Sequence, residues 1–475
     1  MTNATTGEDF WRDYPLVSER YQAGLLDAAD WATWRANRLR AVLRHVTARS
    51  PFYARHLAGV DLDAVTPDTL GRLPFTTKDD LRREMHDVLA GTPADALIYY
   101  ETTGTTGAST PCPRDAKDVM SSNVHVEWAW RRLFDHYFDG RRPVVGLMGP
   151  SELYAFGDTF GDVAQRLGAC HVKIWPESPR VGFRKALRLI RELNVEVLVA
   201  APALCLNLAK AALQNGLDPA RDLPVKLFTV LGEICTPAFG ANVRSIWGAD
   251  VRPALYGSQE AMAIGTGCHL DRLHISGPNY LVEVLDPDSE ASLGAYGTGE
   301  LCLTMLVDGI KPLIRYRTGD LVTVAPNTCG CGGPGDVVEV LGRVADRVAI
   351  GAGRYRPAQI ESAVLGGLSR CLGYQVVIDT APNGTDALTV YVELLRDGAA
   401  DADADGSAER AALATRLTEH FGVPTRVEVT TELDPITNTG AFVSWKAARI
   451  KDNRAGADQD VAAARAAAGA HSLRS

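Results

Sequence analysis

Four short apolar runs, separated by segments with helical spacing, constrain the fold of this chain more than any other feature. Pro143–Met148, Val172–Trp175, Val195–Ala201 and Leu227–Leu231 have the length and apolar content of buried strands. Phe183–Leu193 and Ala203–Asn215 read as the intervening helices, the second opened after Pro202 and closed by Gly216. This alternation predicts a layered α/β domain. Upstream, Trp31–His56 and Val119–Leu133 carry helical spacing. Leu73–Leu81 reads as a turn feeding a helix, with Thr76 or Thr77 as its N-cap. From Leu281 the texture becomes strand-rich, over Leu281–Leu285, Gly299–Thr304, Pro312–Tyr316 and Leu321–Val324. Beyond Gly342-Arg343 a second unit begins, with strands at Val348–Ile350, Gln375–Ile378, Leu388–Leu395 and Thr425–Val429 and helices at Pro357–Leu365 and Ala411–Phe421. The Asp/Ala run 397–409 is an acidic loop.

A chain of 475 residues has room for one large domain and a smaller one. Its formal net charge of −9 argues against a nucleic-acid partner, which calls for a basic face. No apolar run is long enough for a membrane span and no basic-then-apolar leader opens the chain, so no membrane partner is expected. Nine scattered cysteines, an odd number, fit reduced thiols in a cytoplasm better than a disulfide framework.

The run Thr102-Thr103-Gly104-Thr105-Thr106-Gly107-Ala108-Ser109-Thr110 is poor material for a helix or a core strand. It suits an anion-binding loop, because glycine lets backbone N–H groups turn to a ligand and threonine hydroxyls add donors. The apolar run Ala96–Tyr100 before it predicts a strand leading into the loop.

Three further segments accompany the loop: Ala254-Leu255-Tyr256-Gly257-Ser258-Gln259-Glu260-Ala261, Ile314-Arg315-Tyr316-Arg317-Thr318-Gly319-Asp320-Leu321, and Gly342-Arg343 followed by Gly353–Glu361. In order and spacing they resemble the adenylate-forming (acyl-CoA synthetase) superfamily, and most closely the phenylacetate–CoA ligase family. Ser50-Pro51-Phe52-Tyr53 and Leu73–Leu81 resemble that family's early signature. The resemblance implies an α/β fold with a large layered N-terminal adenylation domain, residues 1–343, that binds ATP and the acid. A small mobile α+β C-terminal domain, residues 344–475, would carry the catalytic lysine and a flexible tail from about 455. It implies activation of a carboxylic acid by ATP and Mg²⁺ to an acyl-adenylate, then transfer to coenzyme A. A homodimer is also implied.

Carried over position by position, the resemblance places Thr102, Thr103, Gly104, Thr105, Thr106 and Gly107 on the β- and γ-phosphates. Glu260 would bind Mg²⁺ and take part in catalysis. Tyr256 would lie against adenine beside Gly257 and Ser258, with Gly232 and Glu233 lining the adenine and acyl pocket. Asp320 would accept from the ribose hydroxyls and Arg343 would contact the nucleotide. Lys446, in Trp445-Lys446-Ala447-Ala448-Arg449-Ile450-Lys451-Asp452-Asn453-Arg454, would be the catalytic lysine bridging carboxylate and α-phosphate.

Three positions depart from the resembled pattern. Ala108 stands where the loop usually has lysine, Trp445 where glycine precedes the catalytic lysine, and Ala345 at the usual hinge aspartate. The last bears on the second half-reaction. The Ala345 and Ala108 departures together motivate an alternative in which an amine, a carrier-protein thiol or another nucleophile of a biosynthetic pathway accepts the acyl group. A non-catalytic nucleotide-binding protein is the rival from another class; the presence of Lys446 and Glu260 argues against it.

Tyr154, Phe156 and Phe160 give the segment between Gly149 and Gly161 an aromatic lining suited to an aryl or arylacetic acid. Cys268, His274, Cys329 and Cys331 are ligand types of a closed tetrahedral zinc site, as some members of the resembled family carry. His269 is the competing histidine, and plain reduced thiols are the alternative.

Overall fold

The apolar runs of residues 143–253 pair as a five-stranded sheet: β1 (Val144–Met148), β2 (His171–Lys173), β3 (Val195–Ala200), β4 (Leu227–Val230) and β5 (Asp250–Pro253). Their order is β2-β1-β3-β4-β5, and the β1–β2, β1–β3 and β3–β4 pairs are parallel. β3 is buried along its whole length, as a central parallel strand requires. The computed structural model describes residues 7–102, 109–395, 407–433 and 448–455. They divide into two compact units. One takes residues up to 142, 150–169 and 253–340; the other takes 143–149, 170–252 and the chain from 341.

Helices Gly182–Glu192, Pro202–Gln214 and Pro237–Trp247 connect the strands from β2 to β5. The last shows how local sequence sets an element. The Thr236 hydroxyl accepts from the Phe239 amide at 3.2 Å, Pro237 takes the first helical position, and Gly248 ends it with φ of +63°. Leu198, Phe228 and Trp247 are fully or nearly fully buried in the core beneath, each contributing about 1.5–3 kcal/mol of transfer free energy.

The other unit holds a seven-stranded sheet of β6 (Leu255–Ser258), β7 (Met262–Gly267), β8 (Leu273–Ile275), β9 (Tyr280–Leu285), β10 (Gly297–Met305), β11 (Tyr316–Ala325) and β12 (Val337–Arg343), in the order β6-β7-β8-β12-β11-β10-β9. Helices Ala28–Arg49, Pro51–His56, Lys78–Glu84 and Ala116–Phe138 accompany it, around a core that includes Trp34, Tyr53, Leu301 and Tyr316.

Two expectations are corrected here. The helical stretch from Trp31 to His56 is two helices, broken at Ser50, whose extended backbone (φ −98°, ψ 117°) precedes Pro51. Proline disfavours helical backbone in the residue before it and brings no N–H, and Ser50 instead caps the next helix. Pro312–Tyr316 is not a strand: residues 312–315 are irregular, with Arg315 at φ +47°, and a single strand runs from Tyr316 through Leu321–Val324.

Beyond β12 a smaller α+β portion follows. It contains the hairpin β13 (Val348–Ile350) and β14 (Gly353–Tyr355), then β15 (Cys371–Thr380), β16 (Asp386–Leu394), β17 (Thr425–Val429) and β18 (Ile450–Asp452) in the order β17-β16-β15-β18. Helix Pro357–Leu365 keeps the predicted bounds, and the second helix spans Ser407–Phe421. Among the described residues no helix is long and apolar enough to cross a membrane.

Candidate active site

The Gly/Thr loop stands on two short legs. The Thr102 amide donates to the Thr110 carbonyl at 3.1 Å, the Thr110 amide to the Thr102 hydroxyl at 3.0 Å, and the Cys112 amide to the Tyr100 carbonyl at 2.7 Å. Thr103, Gly104, Thr105, Thr106, Gly107 and Ala108 lie outside the described residues. The expected strand over Ala96–Tyr100 is not formed; isolated bridges join Ile98 to Arg114 and Glu101 to Pro111. Pro111 and Pro113 on the opposing leg lack N–H groups, so a continuous ladder cannot form.

The turn after β6 carries Glu260 against this base. Gly257 is required at its place, because a Cβ there would come within 1.9 Å of the Met262 carbonyl oxygen. The Ser258 hydroxyl accepts from the Ala261 amide at 3.1 Å and fixes the turn. The Glu260 carboxylate, 8% exposed, forms an ion pair with Lys78. Lys78 opens its helix behind the N-cap Thr77, whose capping box with Asp80 is complete. Burial alone would raise the Glu260 pKa, but the Lys78 and then Lys311 charges outweigh it and hold the carboxyl below its ordinary value. Lys78 also lies 3.4 Å from the Thr110 hydroxyl, so loop base, cation and carboxylate form one cluster.

Two residues drawn from separate motifs meet directly. The Tyr256 hydroxyl donates to Asp320 Oδ2 at 2.8 Å. Asp320 sits where β10 and β11 lose register: Cys302 pairs with Arg317, but Glu300 pairs with Leu321. The extra residues form a bulge at Thr318-Gly319-Asp320, with Gly319 at φ +73°. Glu300 accepts from the Gly319 amide at 3.1 Å and pairs with Arg317 at 2.7 Å, which pins the bulge. Arg315, in the same motif, serves the scaffold instead. It pairs with Glu283 at 3.1 Å, donates to the Leu73 carbonyl at 2.8 Å and lies over the Phe75 ring.

Of the aromatic candidates, Tyr154 and Phe156 are half-buried. Burial, reinforced by the Glu101 charge, raises the Tyr154 pKa. Gln259 ties this segment to the loop base, donating to the Glu101 and Leu153 carbonyls and accepting from the Ala155 amide, each at 3.3 Å. Phe160 stacks on Trp130 at 5.2 Å and is a core residue. Lys78 and Gln259 were the groups missed by reading the sequence, although both stand inside segments already singled out.

In the other unit, Gly232 takes φ +86° after β4, and Glu233 accepts from the Ala203 amide at 3.3 Å. Its Oε1 is buried, with no hydrogen-bond partner among the described residues. Burial pushes the Glu233 pKa up to about 7, against the pull of Arg449, with Glu361 and Glu177 adding to the rise. Arg343 is exposed at the end of β12, and Ala345 lies in the short 3₁₀ turn that follows. Trp445 and Lys446 lie outside the described residues.

The four soft ligands converge. One ligand atom from each of Cys268, His274, Cys329 and Cys331 lies within 4.8 Å of the others. The Cys268 and Cys329 sulfurs are 3.8 Å apart, and Cys331 Sγ is 3.2 Å from His274 Nε2. Tetrahedral zinc with Zn–S bonds of about 2.3 Å sets an S···S edge of roughly 3.8 Å, so the donor set fits that ion in type and spacing. His269 stacks instead on His136 at 4.3 Å.

No protein-family model matches the chain. It is 29% identical over 418 residues to a phenylacetate–coenzyme A ligase of Thermus thermophilus, covering 82% of this chain and 90% of that protein. To the phenylacetate–coenzyme A ligase of Escherichia coli it is 26% identical over 375 residues, 76% of this chain and 82% of the relative. Among solved structures, 2-hydroxyisobutyryl-CoA ligase in its postadenylation state superposes with a TM-score of 0.74 at 21% identity, over 90% of this chain and 91% of the other. These likenesses extend over most of the chain, and the structural one is a likeness of fold.

Proposed function

We infer that this chain is an adenylate-forming ligase related to the phenylacetate–coenzyme A ligases, and that it activates a carboxylic acid with ATP and passes the acyl group to coenzyme A. The observation that carries this reading is the Tyr256–Asp320 hydrogen bond. It joins the two motifs assigned to adenine and ribose, in the unit where Glu260 meets the base of the Gly/Thr loop.

A carboxylate is a poor electrophile, and adenylation corrects this. A carboxylate oxygen attacks the α-phosphorus of ATP, pyrophosphate leaves, and the mixed anhydride then accepts the thiol of coenzyme A with release of AMP. Charge on the phosphates must be held and neutralised as it shifts. Thr102 to Gly107 would supply hydroxyl and backbone donors to the β- and γ-phosphates. Tyr256, Gly257 and Ser258 serve the adenine side, and Asp320 accepts from the ribose hydroxyls. Gly232, Glu233 and Arg343 keep the nucleotide-lining roles implied by the resemblance, and Lys446 is the catalytic lysine. The ionised Glu260 would hold Mg²⁺, which when bound supplies charge neutralisation to the phosphates. Lys78 keeps that carboxylate ionised beforehand.

Tyr154 and Phe156, half-buried aromatics tied to the loop base through Gln259, support an aryl or arylacetic acid. The curated relatives, named for coenzyme A, favour that acceptor over an amine or a carrier-protein thiol. We further propose structural zinc at Cys268, His274, Cys329 and Cys331, and a homodimer in a cytoplasmic setting. Residues 1–343 act as the adenylation part and 344–475 as a mobile part carrying Lys446. The test is acceptor-dependent turnover with an arylacetic acid, ATP and Mg²⁺. Thioester formation with coenzyme A, and none with candidate amines, is the expected result; amide formation without thioester would overturn the acceptor assignment.

A further inference from the structure

We propose that Asn242 is a positioning residue for adenylation: its side-chain amide clasps the backbone of Cys371 and seats the C-terminal α+β portion on helix Pro237–Trp247. This rests on the reading of the chain as an adenylate-forming ligase.

All the residues concerned belong to the unit that holds the five-stranded sheet. Asn242 is 1% exposed and uses both ends of its amide. Its Nδ2 donates to the Cys371 carbonyl at 2.7 Å, and its Oδ1 accepts from the Cys371 amide at 2.8 Å. Further along the same helix, the Ser245 hydroxyl accepts from the Arg370 amide at 2.8 Å. Arg370 takes φ +58° just before β15. Left-handed backbone is unfavourable for a residue with a side chain and persists where surrounding contacts hold it. Here two successive N–H groups, of Arg370 and Cys371, are given to one helix. At the helix start, the Thr236 amide donates to Glu361 Oε1 at 3.2 Å, and the Tyr374 hydroxyl donates to Glu361 Oε2 at 3.1 Å. Lys210 and Glu393 add an ion pair at 2.5 Å.

Apolar burial is non-directional, so the core shared by the sheet and the C-terminal portion does not by itself fix how they seat. A clasp on both backbone groups of one residue does, because a slip of one residue along β15 breaks both bonds. Water satisfies the same groups when the seam opens, so the net strength of each bond is modest and the seating is reversible. Arg449 indicates which half-reaction the seating serves. It is 6% exposed, lies over the Tyr374 ring at 4.9 Å, and its charge acts on both Glu361 and Glu233. Glu233 has a nucleotide-lining role in the proposed function, so the seated portion brings a cation to the side of this unit that serves ATP.

The experiment compares two reactions in the wild-type chain, Asn242→Asp and Ser245→Ala. One is ATP–pyrophosphate exchange, with the member of an aryl and arylacetic panel that gives the greatest wild-type exchange. The other is thioester formation from coenzyme A and the supplied adenylate of that acid. Asn242→Asp keeps an acceptor for the Cys371 amide but sets an oxygen against the Cys371 carbonyl. Exchange is expected to fall about tenfold or more, as for a lost hydrogen bond with repulsion in its place, while thioester formation stays within about threefold. Unchanged exchange, or equal falls in the two reactions, overturns the proposal. Ser245→Ala removes one bond from the same seam and keeps the proposal testable if Asn242→Asp does not fold. It should shift the ratio of the two reactions in the same sense by about two- to fivefold, and an unchanged ratio overturns the proposal. Wild-type protein with no acid-dependent exchange across the panel would instead remove the reading of the chain as a ligase, a separate failure.

Discussion

The Tyr256 hydroxyl donates to Asp320 Oδ2 at 2.8 Å, linking a tyrosine at the start of one hairpin to an aspartate on the bulge of another strand. The aspartate is thereby oriented before any ligand arrives. Asp320→Asn should raise the KM for ATP more than tenfold. Tyr256→Phe should raise it by a smaller factor, consistent with loss of one hydrogen bond of about 1 kcal/mol. If orientation is the role, the double variant loses less than the sum of the singles, and steady-state kinetics on all three proteins measure that coupling.

Glu260→Gln leaves Lys78 facing an amide. Adenylation should fall by a factor of 100 or more, in the range for removing a preorganised charge at a transition state (about 10²–10³). The fold should lose about 1–3 kcal/mol, less than for a wholly buried pair because Lys78 is about a third exposed. Denaturant unfolding and single-turnover adenylation separate the two effects.

The Glu233 carboxyl stands at about 7 in the fold against an ordinary value of 4.5. A group whose folded pKa is raised in this sense binds more protons in the native state between those two values. Its contribution therefore stabilises at low pH and is lost as pH rises from 4.5 to about 7. Tm measured across that window should decline less steeply in Glu233→Gln than in the wild type. Parallel slopes would count against the burial described for this carboxyl.

Much of this was legible in the sequence, for identifiable reasons. Helix Pro357–Leu365 opens with proline at its first position, ends before Gly366 and was found at its true bounds. The runs that became β1, β3 and β4 are apolar enough to have no alternative but burial. The expected buried strand Val172–Trp175 is instead the edge strand β2, only half-buried and with Lys173 exposed, because an edge strand has a neighbour on one side only. What was hidden depends on contacts distant in sequence or on backbone geometry. Lys78 and Glu260 are 182 residues apart, so nothing local announces their pairing. The break at Ser50 was readable from Pro51 but was outweighed by the helical spacing on either side. Residues 312–315 have the apolar content of a strand, yet Arg315 takes φ +47° to reach Glu283 and the Leu73 carbonyl. Between His269 and His274 composition is silent; the pairing of β8 with β12 turns His274 toward Cys331.

The four-ligand cluster predicts about one zinc ion per chain by elemental analysis. Chelation under denaturing stress should lower Tm, and Cys331→Ser should reproduce that loss without added chelator. Protein with no bound metal and an unchanged Tm in Cys331→Ser would leave the cluster as reduced thiols.

ATP–pyrophosphate exchange tests adenylation directly, without assuming an acceptor. The measurement uses the full chain with Mg²⁺, no coenzyme A, and a panel of aryl, arylacetic and aliphatic acids. Exchange should depend on an added acid, be greatest for an aryl or arylacetic member, and disappear in Lys446→Ala. No exchange with any acid in a protein that binds ATP, or full exchange in Lys446→Ala, would contradict this assignment.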